Sequence, residues 1–330
     1  MIMNSLCALA LGFVLDMMLG DLGGKFYPIN AVKRLVKLLE NALKKAYLDS
    51  PEAQNMAGIM LVVMTLLICM GVSVAVLFLC YKISVILGII AEGVLCWLSM
   101  SGRDLRRNLQ SIFRSVRGNN VNSARRYLKH ITDRDVDELD NEGCAKCAVE
   151  TAAENSADWI IAPMFWACLC GGLGAVFCRC VNIMDNTVGF KDDSNIHFGK
   201  VAAKLDDVVM FIPARLAAML IRWDAAFLKL DKKGADEVYT RDKRRSPSPN
   251  SGCTLSACAG ALNIRLGGDE TRNGIIVRRQ RIGDDLHPVT ADDVFWVNQL
   301  ITGVSAGGIL LAAFMRVAAY LISLQLIKFI

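Results

Sequence analysis

The chain has 330 residues, 54% of them hydrophobic and 21% charged, with a formal net charge of +5 and a mean hydropathy of +0.38. This hydropathy excludes an ordinary soluble protein, because the apolar excess has to be buried in lipid or in an unusually large core. Lys and Arg cluster between the apolar segments, as they do in the cytoplasmic loops of membrane proteins, and we expect no nucleic-acid partner.

The apolar segments predict a mainly α, multi-pass helical membrane protein of the cell membrane. Residues 56–79 carry no charge and are long enough to cross about 30 Å of hydrocarbon. Residues 83–100 follow at once, so the two segments are expected to form a tight transmembrane hairpin. The apolar segments, in chain order, are residues 2–20, 56–79, 83–100, 159–178, 208–221 and 301–327.

The polar segments between them complete what we predict to be one integral membrane domain over residues 1–330. They are residues 21–55, 101–158, 182–207 and 222–300, and all but the third carry strong basic clusters that favour the cytoplasmic side. If residues 159–178 and 208–221 both cross the membrane, residues 182–207 face the other side. Gly171, Gly172 and Gly174 in the middle of the segment 159–178 favour a re-entrant or broken helix instead, and both topologies stay open.

One acidic row stands directly before an apolar segment. Glu150, Glu154 and Asp158 recur every four residues and share one face of a helix. Like charges at this spacing repel, and Mg²⁺ bound to ATP would neutralise them, because this ion takes one or two carboxylates together with phosphate oxygens. We therefore predict a metal site at these three residues; the alternative is a solvated helix face.

Two further polar groups follow the acidic row. Asn182 and Asp185 are three residues apart and can share a helix face, and Lys191 follows them at a distance that suits a phosphate contact. A capped helix end followed by a loop would give the same pattern. Asp206 and Asp207 open the next apolar segment, where aspartates are also ordinary partners of a helix N-terminus.

A last group combines basic side chains with a rigid turn. Arg215 lies inside an apolar segment, where a charge is expected to pair with an acid or with a ligand anion. Residues 248–252 form a turn-rich stretch just after the basic residues 243–245, and such a turn can offer N–H groups and cations to phosphate. The alternative is an exposed loop beside membrane-surface charges.

The familiar nucleotide and metalloprotease signatures are missing from the sequence. It has neither the P-loop pattern GxxxxGK[ST] nor the HExxH pattern, and its three histidines are His130, His197 and His287. A catalytic site in this chain therefore has to consist of carboxylates, amides and basic groups.

Taken together, these segments resemble the adenosylcobinamide-phosphate synthase family. The matching blocks span nearly the whole chain in the family's order, and the ordered series is far more specific than any single block. They are Asp16-x-x-x-Gly20-Asp21 with Pro28, Glu150-x-x-x-Glu154-Asn155-x-x-Asp158 with Ala162-Pro163, Asn182-x-x-Asp185-x-x-x-Gly189-Phe190-Lys191, Phe198-Gly199, Leu205-Asp206-Asp207, Pro213-Ala214-Arg215, Ser248-Pro249-Asn250-x-Gly252, and Gly260-Ala261-Leu262 with Leu266-Gly267-Gly268.

The resemblance implies a multi-pass membrane ligase of cobalamin biosynthesis. Its chemistry is the ATP-driven joining of the free carboxylate of adenosylcobyric acid to aminopropanol or its phosphate. The chain departs from the family pattern at Tyr27 and Ser246, where histidine is usual, and at Cys253, where tryptophan is usual. These departures leave the identity of the amino alcohol open.

The resemblance and the residue patterns together give a set of expected roles. Asn182, Asp185, Asp206 and Asp207 are expected to be catalytic, with Asp206 or Asp207 accepting the proton of the amine. Glu150, Glu154, Asp158 and Asp185 are expected to hold Mg²⁺ with ATP. The residues expected to bind phosphate or other parts of the substrates are Asp16, Asp21, Lys191, Lys204, Arg215, Ser248 and Asn250.

The partners expected from this interpretation are the corrinoid, aminopropanol phosphate and membrane lipid. The oligomeric state is left open, including a homo-oligomer or an association with other enzymes of the same pathway. A membrane transporter or binding protein for an anionic cofactor is the main alternative, because broken helices that contain charges are typical of that class as well.

Overall fold

The computed structural model describes residues 2–21, 28–46, 50–189, 196–272 and 274–328, and these are almost entirely helical. The helices are α1 (Ile2–Leu19), α2 (Pro28–Ala46), α3 (Pro51–Ile83), α4 (Val85–Ser99), α5 (Gly102–Arg117), α6 (Val121–Leu128), α7 (Asn141–Asn155), α8 (Ala162–Val188), α9 (Lys200–Val209), α10 (Phe211–Phe227), α11 (Lys232–Asp242), α12 (Ser251–Leu262) and α13 (Ala291–Lys328). A π-helical turn, Ser156–Ile161, joins α7 to α8.

Short antiparallel strands interrupt the helices late in the chain. Strand β1 (Leu266–Gly267) pairs with β4 (Arg281–Ile282), and β2 (Glu270–Arg272) pairs with β3 (Ile275–Val277). In register, Leu266 is opposite Ile282 and Glu270 is opposite Val277.

The mainly α membrane architecture is confirmed. Four helical stretches of the described chain are long and apolar enough to cross a membrane: Pro51–Ile83, Val85–Arg117, Asn141–Val188 and Ala291–Ile322. They contain the predicted segments 56–79 and 159–178 and most of the segments 83–100 and 301–327. The predicted segment 208–221 is divided, because α9 ends at Val209 and α10 begins at Phe211.

The predicted hairpin has its turn at Ser84. Pro51 begins α3 behind the N-cap Ser50, whose hydroxyl accepts a hydrogen bond from the Ala53 N–H. Ser84 ends α3 in an extended conformation and caps α4, since its side chain accepts from the Ile86 N–H at 3.2 Å. Large apolar side chains such as Leu67 and Phe78 are exposed by about two thirds, which indicates a lipid-facing surface.

Contacts group the chain into two compact units. Unit 1 comprises Met1–Ser101, Ala162–Val209 and Ile309–Ile330, and unit 2 comprises Gly102–Ile161 and Met210–Gly308. In unit 1, α1 packs against α4, and α4 and α3 pack against α8. In unit 2, α11 and α10 pack against α12, and α5 packs against α6 and α7.

The glycine-rich stretch in unit 1 breaks α8, as predicted. Cys170 (φ −120°, ψ 15°) and Gly171 (φ 66°, ψ −159°) leave the helical conformation. A positive φ is readily adopted only by glycine. The helix therefore consists of two halves, one ending just before Cys170 and one beginning just after Gly171.

In unit 2, glycines allow α11 and α12 to approach closely. A Cβ atom on Gly260 would overlap the carbonyl oxygen of Gly234 and lie 2.7 Å from the Cα of Ala235. This contact gives the block Gly260-Ala261-Leu262 a packing role, because no larger residue fits between the two helices.

We expect Gly260→Ala to lower the stability of the protein in detergent by about 1–3 kcal/mol, the usual cost of overpacking a core. Thermal unfolding checks this expectation. Gly71→Ala is the matched control, since nothing lies within 4 Å of a Cβ built there, and helix propensity favours alanine. Equal losses in the two variants would contradict the packing role of Gly260.

Candidate functional site

Unit 2 contains a cavity with a strongly basic wall. Its volume is about 510 Å³, and its lining residues are Phe211, Arg215, Tyr239, Lys243, Arg244, Ser246, Pro247, Pro249 and Cys253. Three of these side chains are cationic, and no carboxylate occurs among the described residues that line the cavity. Such a wall suits an anion, and phosphate above all.

Helix α10 contributes Arg215 to this wall. The Arg215 Nη1 donates to the carbonyl oxygen of Phe211 at 2.6 Å and to Oδ1 of the buried Asn250 at 3.4 Å. The guanidinium also stacks on the Phe211 ring, 3.5 Å from its centroid. These contacts hold Arg215 in one orientation at the cavity and account for the charge inside an apolar segment.

The end of α11 contributes Lys243 and Arg244. The preceding residue, Asp242, is fully buried and accepts hydrogen bonds from Arg241 at 2.8 and 2.9 Å and from the Gly283 N–H at 2.9 Å, and it forms an ion pair with Arg245 at 3.2 Å. Burial alone would raise the pKa of the Asp242 carboxyl, but the hydrogen bonds from Arg241 and Gly283 lower it below its usual value. Asp242 therefore remains an anion that anchors the C-terminal end of α11.

The stretch that contains the turn predicted at residues 248–252 contributes Ser246, Pro247, Pro249 and Cys253 to the wall. The Ser246 and Ser251 hydroxyls lie 2.7 Å apart, and the Asn250 N–H donates to Ser248 Oγ at 3.3 Å. A Cβ on Gly252 would overlap the carbonyl oxygen of Lys243, so this glycine lets α12 begin against the end of α11. Helix α12 therefore starts at the cavity, and its N-terminus adds to the positive potential there.

Two groups with titratable protons also line the cavity. Burial raises the pKa of the Cys253 thiol, although Arg215 and Lys243 oppose the shift, and burial likewise raises the pKa of the Tyr239 hydroxyl. Both groups are therefore neutral near pH 7 and act as polar contacts. The guanidinium carbon of Arg222 lies 4.2 Å from the centroid of the Tyr239 ring, and Nζ of Lys243 lies 4.7 Å from it.

The predicted acidic row leads to a second cluster in unit 2, formed around Arg134. Its side chain is 6% exposed and pairs with Glu150, with Glu154 at 3.2 Å and with Glu270 at 3.0 Å. Arg279 bridges Glu154 and Glu270 at 3.1 Å each. Burial would lower the pKa of Arg134, but the surrounding carboxylates, Glu150 first, raise it well above its usual value.

The oxygens of the two glutamates do not fit a Mg²⁺ ion in this arrangement. Glu150 Oε1 accepts from the Gly267 N–H at 2.7 Å while Oε2 pairs with Arg134. Both oxygens of Glu154 pair with arginines as well. Throughout the described residues, no group of three or more Asp, Glu, His or Cys side chains is arranged to hold a metal. A metal on Glu150, Glu154 and Asp158 stays a prediction.

The residues predicted to be catalytic lie in unit 1. Asn182 is buried on the second half of α8, and its Oδ1 accepts from Arg179 and from Asn186 at 3.3 Å each. Asp185 lies one turn further along. Lys204, Asp206 and Asp207 lie on α9, which packs against α8, whereas Lys191 falls outside the described residues.

The remaining predicted residues are Asp16 and Asp21, at the end of α1 in unit 1. Asp16 is 4% exposed, and its carbonyl oxygen accepts from the Gly20 N–H at 3.0 Å. The carbonyl oxygen of Gly20 in turn accepts from the Trp97 indole at 3.1 Å. This part of the first block therefore fixes the end of α1 against α4.

Of the predicted residues, the structure thus places Arg215 in the cavity lining, with Asn250 bonded to Arg215 and Ser248 bonded to the Asn250 N–H. The predicted catalytic acids occupy the other unit. Sequence reasoning missed Tyr239 and Arg134. No local signal marked either residue: Arg134 lies in an irregular segment, and Tyr239 lies on an otherwise ordinary polar helix.

Comparison with known proteins identifies the family. The model of the family described as "CobD/Cbib protein" matches residues 9–301 of the chain. Curated relatives include the cobalamin biosynthesis protein CobD of Clostridium perfringens, 34% identical over 93% of this chain and 96% of its own. The cobalamin biosynthesis protein CbiB of Salmonella arizonae is 31% identical over 91% of this chain and 94% of its own length.

A third relative, the CobD protein of Pelobacter propionicus, is 33% identical over 85% of this chain and 86% of its own. No solved structure matches the chain. The ordered sequence blocks, the helical membrane architecture and full-length similarity to these proteins agree. The chain belongs to the CobD/CbiB family of cobalamin biosynthesis proteins.

Proposed function

We propose that this protein is an ATP-dependent amide ligase that joins adenosylcobyric acid to aminopropanol or its phosphate, giving adenosylcobinamide or its phosphate. Membership of a cobalamin biosynthesis family supports an enzymatic role in that pathway. The observation that carries the proposal is the acid-free cavity of unit 2, where Arg215, Lys243 and Arg244 face one space.

The proposed reaction has two steps. An oxygen of the corrinoid carboxylate forms a bond to the γ-phosphorus of ATP, the bond to the bridging oxygen breaks, and ADP leaves. The amine nitrogen then forms the C–N bond, the C–O bond of the acyl phosphate breaks, and inorganic phosphate leaves. The amine proton passes to a base, for which Asp206 and Asp207 are the candidates.

In this proposal the cavity of unit 2 binds the phosphate of the amine substrate. A phosphomonoester carries up to two negative charges, which Arg215, Lys243 and Arg244 neutralise without a metal ligand from the protein. The Phe211 and Tyr239 rings already have cations against them, which favours a small phosphate over a nucleotide base stacked in the same space.

The other proposed roles follow the sequence blocks. Asn182 and Asp185 contact the reacting groups, and Lys191 and Lys204 bind phosphate. Mg²⁺, bound with ATP, would supply charge neutralisation at the β- and γ-phosphates. The basic segments would face the cytoplasm, and the protein would be a multi-pass protein of the cell membrane.

The transporter alternative retains one supporting observation, the break in α8. Two measurements, product formation in detergent and substrate uptake into proteoliposomes, separate the two functions. Purified protein in detergent is incubated with ATP, Mg²⁺, cobyric acid and aminopropanol phosphate, and the products are measured by mass spectrometry. We expect the amide and ADP in equal amounts. Substrate uptake into proteoliposomes without amide formation would refute the ligase and support the transporter.

A further inference from the structure

Glu92 is an acid in the middle of the apolar helix α4, and the proposed chemistry does not use it. It is 5% exposed. Its Oε1 accepts a hydrogen bond from the Gly172 N–H at 3.0 Å, and its Oε2 accepts one from the Tyr81 hydroxyl at 2.6 Å. An acid at membrane depth is costly, so its presence calls for a specific role.

The partner of Glu92 lies at the break in α8. Gly172 is the first helical residue after the break, and the first N–H groups of a helix have no partner within it. A carboxylate at this end satisfies such an N–H and is attracted by the positive end of the helix dipole. A Cβ on Gly171 would overlap Glu92 Oε1, so glycine is required here for space as well as for its positive φ.

A cation meets the other half-helix. Arg316, the charge within the apolar part of α13, donates from Nη2 to the carbonyl oxygen of Ala167 at 3.0 Å. Ala167 lies in the last turn before the break, where carbonyl groups lack helical partners and the dipole is negative. These two intramembrane charges of unit 1 thus match the two helix ends that the break creates.

We propose that Glu92, together with Arg316, is a positioning residue that holds the broken α8 in its working shape. The half-helix that begins at Gly172 carries Asn182 and Asp185, so the capped break fixes the direction in which these two side chains are presented. This inference rests on the proposed function for the roles of Asn182 and Asp185, but the capping itself does not.

The same geometry argues against an anion-transport role for the break. In transporters the positive end of a discontinuous helix faces the anionic substrate. Here the side chain of Glu92 already occupies that end, and it also packs closely against Gly172: a Cβ built on this glycine would be 2.9 Å from Glu92 Cγ. The break is therefore compensated inside the protein.

The test compares Glu92→Leu with Glu92→Gln in detergent by hydrogen–deuterium exchange. Leucine removes the acceptor, and we expect the amides of residues 172–174 to exchange at least about 10-fold faster, as loss of a hydrogen bond to a charged group predicts. Glutamine retains an acceptor oxygen and should restore most of the protection. Gly171→Ala, which disturbs the break without removing a charge, should resemble Glu92→Leu.

Amide formation provides the second measurement. We expect Glu92→Leu to lower kcat at least about 10-fold with little change in KM, and Glu92→Gln to recover it. The matched control is Ser73→Ala, which removes another buried polar group of unit 1 whose hydroxyl bonds within its own helix, to Cys69 O at 2.8 Å.

The outcomes separate the inference from the proposed function. Unchanged exchange in Glu92→Leu would overturn the capping, and faster exchange with unchanged kcat would overturn the positioning role. If the wild-type protein forms no amide but the exchange pattern appears as expected, the proposed ligase is wrong while the capped break stands.

Discussion

Replacing Arg134 with leucine is expected to lower the free energy of unfolding by about 3–5 kcal/mol, the usual cost of removing one partner from a buried ion-pair cluster. The substitution leaves Glu150, Glu154 and Glu270 without their common cation, and the side chains of all three are at most 19% exposed. Buried carboxylates that lose their partner are strongly unfavourable. Thermal or denaturant unfolding of the purified protein in detergent gives the measurement.

Three further variants test whether the loss of stability comes from the ion-pair cluster around Arg134. Arg278→Leu removes an arginine from the same stretch as Arg279, outside the cluster, and should cost little. Arg134→Lys keeps the charge but loses the planar guanidinium that reaches three acids, so its stability should be intermediate.

Glu154→Gln should lower stability while leaving the Mg²⁺ dependence of amide formation unchanged. A Mg²⁺ requirement that shifts in this variant would instead support the predicted metal role of Glu154.

The membrane helices could be predicted because the bilayer imposes a simple rule on composition. A long stretch with at most one charge must span the membrane or be buried in protein, and residues 56–79 and 83–100 follow that rule. The break in α8 could also be predicted, since glycines clustered at Gly171 and Gly172 inside an apolar segment weaken a continuous helix. Glu92 is the single charged residue among residues 83–100, but nothing in the sequence points to its partner Gly172, 80 positions later.

The electrostatic partners could not be predicted from the sequence. The spacing of four residues between Glu150 and Glu154 correctly placed them on one helix, and it suggested a metal because carboxylates at this spacing repel one another. The neutralising cations come from Arg134, in an irregular segment, and from Arg279, 125 residues after Glu154. Local periodicity carries no information on such long-range pairs.

The cavity in unit 2 could also be predicted only in part from the sequence. The turn at residues 248–252 and the basic triplet before it predicted a phosphate site, and Arg215 was expected to face an anion. Sequence alone gave no reason to separate Arg244 from Arg245. The buried Asp242 makes the distinction, because it pairs with Arg245 while Lys243 and Arg244 line the cavity.

The double variant Arg215→Gln and Arg244→Gln is expected to raise KM for aminopropanol phosphate at least about 100-fold, since each charge-assisted contact to phosphate contributes about 1.5–3 kcal/mol. KM for unphosphorylated aminopropanol should change little, because that amine has no phosphate for the cavity to bind. Initial rates of amide formation, measured with both amines at saturating ATP and corrinoid, provide the comparison.

Lys233→Gln is the matched control, because this lysine lies at the other end of α11 with its side chain 87% exposed and outside the cavity lining. Its removal should leave KM for both amines unchanged. If the double variant instead raises KM for ATP and spares aminopropanol phosphate, the cavity binds the nucleotide, and the assignment of the amine phosphate to it is wrong. Equal losses for both amines would point to a folding defect in unit 2, because only phosphate recognition separates two substrates that differ by one phosphate group.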